Sequence, residues 1–320
     1  MYLDTTYTNG VIAVKEKNLL KDKIFRLCEA RVDEAFRMLL ENGFGGAATD
    51  NAYEYEKLLE AENTALDEFI RTYAPSMAEK TYFLLPRDFH NAKALIKARI
   101  LGEDAEKMLA GEGLIPINVL KTCVTEQDYG ALSTIPELTA ACQECERTLE
   151  TDVSGAAIGG VFERYLYTAL ERLVKKNRAL RKLIAAKIDM TNVLTALRSG
   201  DETVTGEQYI PGGTFSKKRI QALCTDDLEK TRLQFDGEWK EFIGLCVEAK
   251  EKGIPFTQAE RYKDGYDATS LETRKYELVK GEPFLYYVYR KKTEIANVRI
   301  VMACLMAGLD ETQIKNRLRK

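Results

Sequence analysis

Three stretches of this chain carry the same pattern at intervals of about one small domain. Around residue 88 stands DFHNAKALIKARILG, around residue 189 DMTNVLTALRSG, and from residue 293 TEIANVRIVMACLMAG. Each holds a carboxylate, then an apolar residue, any residue and an asparagine, followed by an apolar stretch of helical spacing that runs out at a glycine. The asparagines are Asn91, Asn192 and Asn297, separated by 101 and 105 residues. Solenoid repeats recur every 20 to 50 residues or so, so this longer period points to three small domains instead.

A four-residue pattern recurs by chance, so other landmarks must repeat in the same phase. They do. KIFRLCEA, NVLKTCVT and RIQALCTD place Cys28, Cys123 and Cys224 at separations of 95 and 101, each four positions after a β-branched residue: Ile24, Val119 and Ile220. Between cysteine and asparagine lies a third shared element, an acid within a hydrophobic helical stretch: YEYEKLLEAENTALDEF, VFERYLYTALERLV and SLETRKYELV. Three landmarks in one order, three times over, read as three copies of one unit.

Helical spacing dominates between these landmarks. Ile295, Val298, Met302, Leu305 and Leu309 recur at three or four residues and line one helix face. KIFRLCEARVDEAFRMLLENGFGG and VFERYLYTALERLVKKNRALRKLI behave likewise, the first ending at glycines suited to a helix C-cap. Strand-like runs joined by Asn-Gly or Asp-Gly turns are hard to find. The expected class is all-α. Two Ile-Pro steps flanked by glycine, in GEGLIPINVL (111–120) and TGEQYIPGGTFS (205–216), halt helices and divide the chain into units 1–108, 109–206 and 207–320.

Composition excludes several functions. A formal net charge of −3 offers no general attraction to nucleic acid. No basic segment followed by an apolar one opens the chain, and the longest apolar run, near Ile300, is half of what a membrane span requires. A cytoplasmic protein without a membrane span is expected. Cys28, Cys123 and Cys224 read as small buried hydrophobes in a reducing compartment. The CQEC pair, Cys142 and Cys145, lacks a second ligand pair, and the single histidine, His90, is remote, so the pair reads as incidental to its helix.

Catalytic constellations are missing from the sequence. GGTFSKK has the wrong spacing for a phosphate loop, and SGAAIGG (154–160) follows no strand and completes no dinucleotide pattern. TDDLE (225–229) lacks the third aspartate of a magnesium-binding isoprenoid site and reads as an exposed helix start. No cofactor, metal or catalytic residue is expected. Asn91, Asn192 and Asn297 read as structural amides, because asparagine is a poor helix former kept where its side chain has a hydrogen-bonding task. Asp88, Asp189 and Glu294 share that reading. Lys175, Lys176, Arg178, Arg181 and Lys182 form one basic run, which is either a solvated helix face or a docking surface for an acidic partner.

The run PFLYYVYRKKTEIANVRIVMACLMAGLDETQIKNRLR, residues 283–319, resembles the closing segment of the C subunit of V-type and A-type rotary ATPases, the counterpart of the d subunit in the eukaryotic enzyme. The shared features are Pro283 and Phe284, a Tyr-rich helix, Glu294, Ile295, Asn297 and Arg299, then Gly308, and at the end Ile314, Arg317, Leu318 and Arg319. Likeness extends along the chain through NLLKDKIFRLCEARVDEAFRMLLENGFGG, RDFHNAKALIKARILG and YIPGGTFS. The middle unit departs most, with Asn192 eight residues before Gly200 where the others have eleven. The resemblance implies three helical subdomains in a pseudo-threefold funnel. It also implies a non-catalytic rotor part between the central shaft subunits of the ATP-cleaving head and the membrane proteolipid ring. A helical-repeat scaffold without catalytic activity is the competing reading.

Overall fold

The computed structural model describes residues 4–149, 155–225, 227–277 and 280–319. Among them every regular element is an α-helix or a short 3-10 turn. Glu150, Ser154 of the glycine-rich stretch, Asp226 of TDDLE, and Leu278 and Val279 of the third acid-bearing stretch lie outside the described residues.

Three long helices carry the repeated asparagines: Met77–Leu101, Arg178–Ser199 and Glu282–Met306. Each is buried around most of its circumference, so none shows a single apolar stripe. All three stop for one reason. The chain turns left-handed at Gly102, Gly200 and Gly308, with φ of 67°, 61° and 73°, a conformation that any side chain would strain. At the first and third stops the next amide reaches back to the last turn, Glu103 N to Ala98 O at 2.9 Å and Leu309 N to Cys304 O at 3.0 Å. In the third helix Ile295, Val298 and Met302 are buried as their spacing predicts, whereas Leu305 and Leu309 are half-buried where the helix ends.

The chain forms two compact units, Met1–Met77 with Asp264–Lys320, and Ala78–Lys263. In the first, Glu282–Met306 is the hub. Helices Thr5–Lys15, Lys23–Glu29, Val32–Glu41 and Tyr55–Tyr73 pack on it, and Glu311–Lys315 folds back against it. Phe69 stacks on Phe284 with ring centroids 5.6 Å apart and meets Tyr287 edge-on at 4.9 Å, which locks Tyr55–Tyr73 to the hub. The stretch beginning KIFRLCEA is two helices broken at Ala30–Arg31, and it ends at glycines as expected, with positive φ at Gly43, Gly45 and Gly46.

In the second unit, Pro136–Leu149 and Gly155–Leu173 form a closely packed pair, and Arg178–Ser199 is flanked by Gly155–Leu173, Glu202–Gln208, Lys217–Ala222 and Glu238–Lys252. Asn177 separates two of these helices. Its Oδ1 caps Arg178–Ser199 by accepting from Leu180 N at 3.1 Å, and its amide donates to Glu79 at 2.7 Å.

Candidate functional site

The three asparagines are buried, and each side-chain amide grips backbone from both sides. Asn91 Oδ1 accepts from Ala110 N at 2.8 Å while Nδ2 donates to Gly111 O at 2.8 Å. Asn192 does the same with the N–H and C=O of Ile210, at 2.9 and 2.8 Å. Asn297 does so with Arg319, at 2.7 and 3.0 Å. A side-chain amide has one acceptor and one donor arm at peptide spacing, so it substitutes for the missing neighbour of an irregular segment.

The acids three positions earlier lie on the same helix face and hold the chain a few residues further on. Asp88 accepts from Leu114 N at 2.8 Å and Ile115 N at 3.0 Å. Asp189 accepts from Thr214 N, Thr214 Oγ1 and Phe215 N at 2.7, 2.5 and 3.0 Å. Glu294 accepts from Leu20 N at 2.5 Å. Leu20, Ile115 and Phe215 precede Cys28, Cys123 and Cys224 by eight or nine residues, so the three acids hold equivalent points of the sequence pattern. In the third clamp the amide holds the C-terminal segment and the carboxylate holds the N-terminal one.

The sequence reading missed the glycines beside two of these clamps. A Cβ on Gly113 would collide with the Asp88 carboxylate, and one on Gly213 with that of Asp189. Neither glycine has positive φ, so the requirement is room for the backbone to approach a short acid. The third clamp solves this differently: the matching position is Asn18, and the acid is the longer Glu294. The signal was in the sequence, since Gly113, Gly213 and Asn18 precede the three cysteines by 10, 11 and 10 residues.

Glu294 has a second task, of which only the pairing with Lys291 three positions earlier is local. Its other oxygen accepts from Lys291 Nζ at 2.6 Å, and Lys291 also pairs with Glu62 at 2.7 Å. Glu62 in turn accepts from Gly45 N at 2.6 Å, and the ammonium lies 5.0 Å from the centre of the Phe44 ring. Burial alone would pull the Lys291 pKa down, but the Glu294 and Glu62 carboxylates outweigh it and hold the group above the ordinary lysine value of 10.5.

All seven cysteines are unpaired and buried. Burial pushes the thiols of Cys28 and Cys123 up, Cys145 to about 11 and Cys246 to about 12. Cys142 shifts the same way. Because all three are buried away from reagent, alkylation of the native protein at pH about 7.5 should leave Cys28, Cys123 and Cys224 largely unmodified after about an hour, while all seven react in denaturant. Rapid labelling of those three in the folded state would remove them from the core. Cys142 and Cys145 lie on helix Pro136–Leu149, and no group of three potential metal ligands is found among the described residues. Asp227 of TDDLE caps the start of a helix, accepting from Glu229 N and Lys230 N.

The basic run is the exposed cluster of note. Lys175, Arg178, Arg181 and Lys182 line an open groove of about 760 Å³ together with Arg172, Glu171 and Gly212, whereas Lys176 faces elsewhere. Arg172 is held by Glu137 in two hydrogen bonds of 2.5 and 2.8 Å. Burial raises the Glu171 carboxyl above its usual range, with Arg181 pulling the other way.

The model of the family described as ATP synthase (C/AC39) subunit matches residues 8–317. The chain belongs to this family. It is a non-catalytic component of the V/A-type rotary ATPases. It is 24% identical to the C subunit of the A-type ATP synthase of Thermococcus onnurineus, over 98% of this chain and 90% of the relative. Identity is 21% to the C subunit of the V-type sodium ATPase of Enterococcus hirae, over 95% and 92%. It is 25% to the C subunit of the A-type ATP synthase of Thermococcus gammatolerans, over 98% and 89%. No helix among the described residues of this C/AC39 protein is long and apolar enough to cross a membrane.

Within the C/AC39 protein, the two halves of the C-terminal motif meet: the asparagine of Glu-Ile-x-Asn-x-Arg holds the backbone of the final Arg-Leu-Arg. Arg299 of that motif pairs with Glu56 at 3.0 Å.

Proposed function

We propose that this chain links the central shaft of a rotary ATPase to its membrane proteolipid ring and transmits rotation between them, coupling ATP hydrolysis or synthesis to proton or sodium transport. The family match over residues 8–317 carries the reading. The geometry suits it. Close-packed helical cores transmit strain instead of absorbing it, and here three buried clamps fix long helices to the irregular segments between them. The same clamps support three repeats, 1–108, 109–206 and 207–320, in a pseudo-threefold funnel: the first two acids hold the opening of the following repeat, and the third holds the opening of the first. Such a protein works at the cytoplasmic face, peripheral to the membrane.

Removing the chain from membranes that carry the complex should leave ATP cleavage by the soluble head intact and abolish ATP-driven ion pumping. The purified chain should show no ATPase activity. Vesicles that pump at the full rate without it would overturn the linking role and favour the scaffold reading.

A further inference from the structure

We propose that the basic groove formed by the end of helix Gly155–Leu173, the turn after it and the first turn of Arg178–Ser199 docks a carboxylate-rich segment of a partner protein in the complex. This rests on the rotary-ATPase reading and names a surface for it. Lys175, Arg178, Arg181 and Lys182 have no ion pair or side-chain hydrogen bond among the described residues, and Glu171 is the one acid that lines the groove with them. Some exposed cations elsewhere are matched, as Lys57 with Glu54, Arg198 with Glu260 and Arg232 with Glu251, and others, such as Lys21 and Lys217, stand singly or in pairs. What sets the groove apart is that it gathers four unmatched cations on one concave face, on a chain of net charge −3.

Folding does not account for it. Arg178, Arg181 and Lys182 occupy the first turn or so of a 22-residue helix whose first turn carries no acid. Unpaired N–H groups make that end positive, so each cation there is disfavoured by about 0.3–1 kcal/mol. An incoming carboxylate reverses the sign of both terms. The groove is concave, and no exposed large hydrophobic side chain lines it, so it lacks the apolar anchors with which a helix lies on a lipid surface. Those features favour an acidic protein segment over a membrane.

The test uses the intact complex with Lys175→Gln, Arg178→Gln, Arg181→Gln and Lys182→Gln combined, and Lys176→Gln as the control. Retention of the chain on the membranes is measured across a salt series together with ATP-driven pumping. Retention by the combined variant should be about tenfold weaker near 0.15 M salt, with a flatter salt dependence, and the control should match wild type. Thermal melting of the purified variant should be no lower than wild type, because the helix start loses disfavoured charge; if it does unfold, the Arg178→Gln/Lys182→Gln pair is read instead and should show a partial loss. Wild-type retention by the neutralised groove, in a strain where deleting the whole chain abolishes pumping, overturns this inference alone. Intact pumping in the deletion strain overturns the linking role itself. Groove-dependent binding of the purified chain to phosphatidylglycerol vesicles with the same salt dependence would assign the groove to lipid and overturn the protein partner.

Discussion

Asp189→Ala should be among the most damaging single substitutions in this protein. The carboxylate is completely buried and accepts three hydrogen bonds, from Thr214 N, Thr214 Oγ1 and Phe215 N. Removing it strands the N–H of buried Phe215 and costs Thr214, which water can reach, two charge-assisted hydrogen bonds, so a loss of about 2–4 kcal/mol is expected in denaturant unfolding. Asp189→Asn should recover little, because in either orientation its NH₂ would face a backbone N–H, of Thr214 or of Phe215, that cannot accept. Gly213→Ala should also destabilise, by forcing a methyl group into the same carboxylate. The two effects share one cause. In the double variant Asp189→Ala/Gly213→Ala the clash has gone, and the combined loss should fall well below the sum. Additive losses, or an Asp189→Ala variant within about 1 kcal/mol of wild type, would show that the clamp does not hold the segment.

Lys291→Met is the second large expected effect. It leaves Glu62 and Glu294, both mostly buried, facing each other without their shared cation. Breaking a buried ion pair by removing one partner costs about 3–5 kcal/mol, because the remaining charge stays desolvated. The pH dependence has a definite sign. Folded Lys291 titrates above 10.5 while the unfolded chain titrates near it, so the folded state binds the proton more tightly. The stabilisation is fully present below that unfolded value and is lost as pH rises through the folded one. The gap between wild type and Lys291→Met should therefore be constant near neutrality and narrow in alkali. A gap that widens above pH 10.5 would contradict the assignment of the shift to Glu294 and Glu62.

Much of the clamp architecture was legible before any coordinates. The phase shared by Asn91, Asn192 and Asn297 with Cys28, Cys123 and Cys224 is a property of spacing alone. Gly102, Gly200 and Gly308 marked the helix ends because a left-handed stop calls for glycine wherever the helix lies. The basic run from Lys175 to Lys182 was visible as composition. That Lys176 turns away from the groove depends on how the turn between two helices places successive side chains.

The sequence by itself determined the helical class, the places where the long helices stop and the family, since these follow from local periodicity, backbone conformation and residue identity. Only the tertiary structure decided what each clamp holds. Glu294 and Leu20 are 274 residues apart, and no local rule says that the last acid should hold the first repeat's opening and not a segment after it. The same applies to Lys291 and Glu62, whose charges were ordinary features of two unrelated helices until packing buried them together. A buried polar group must find a partner, but which partner it finds is set by the backbone that folding brings within hydrogen-bond reach.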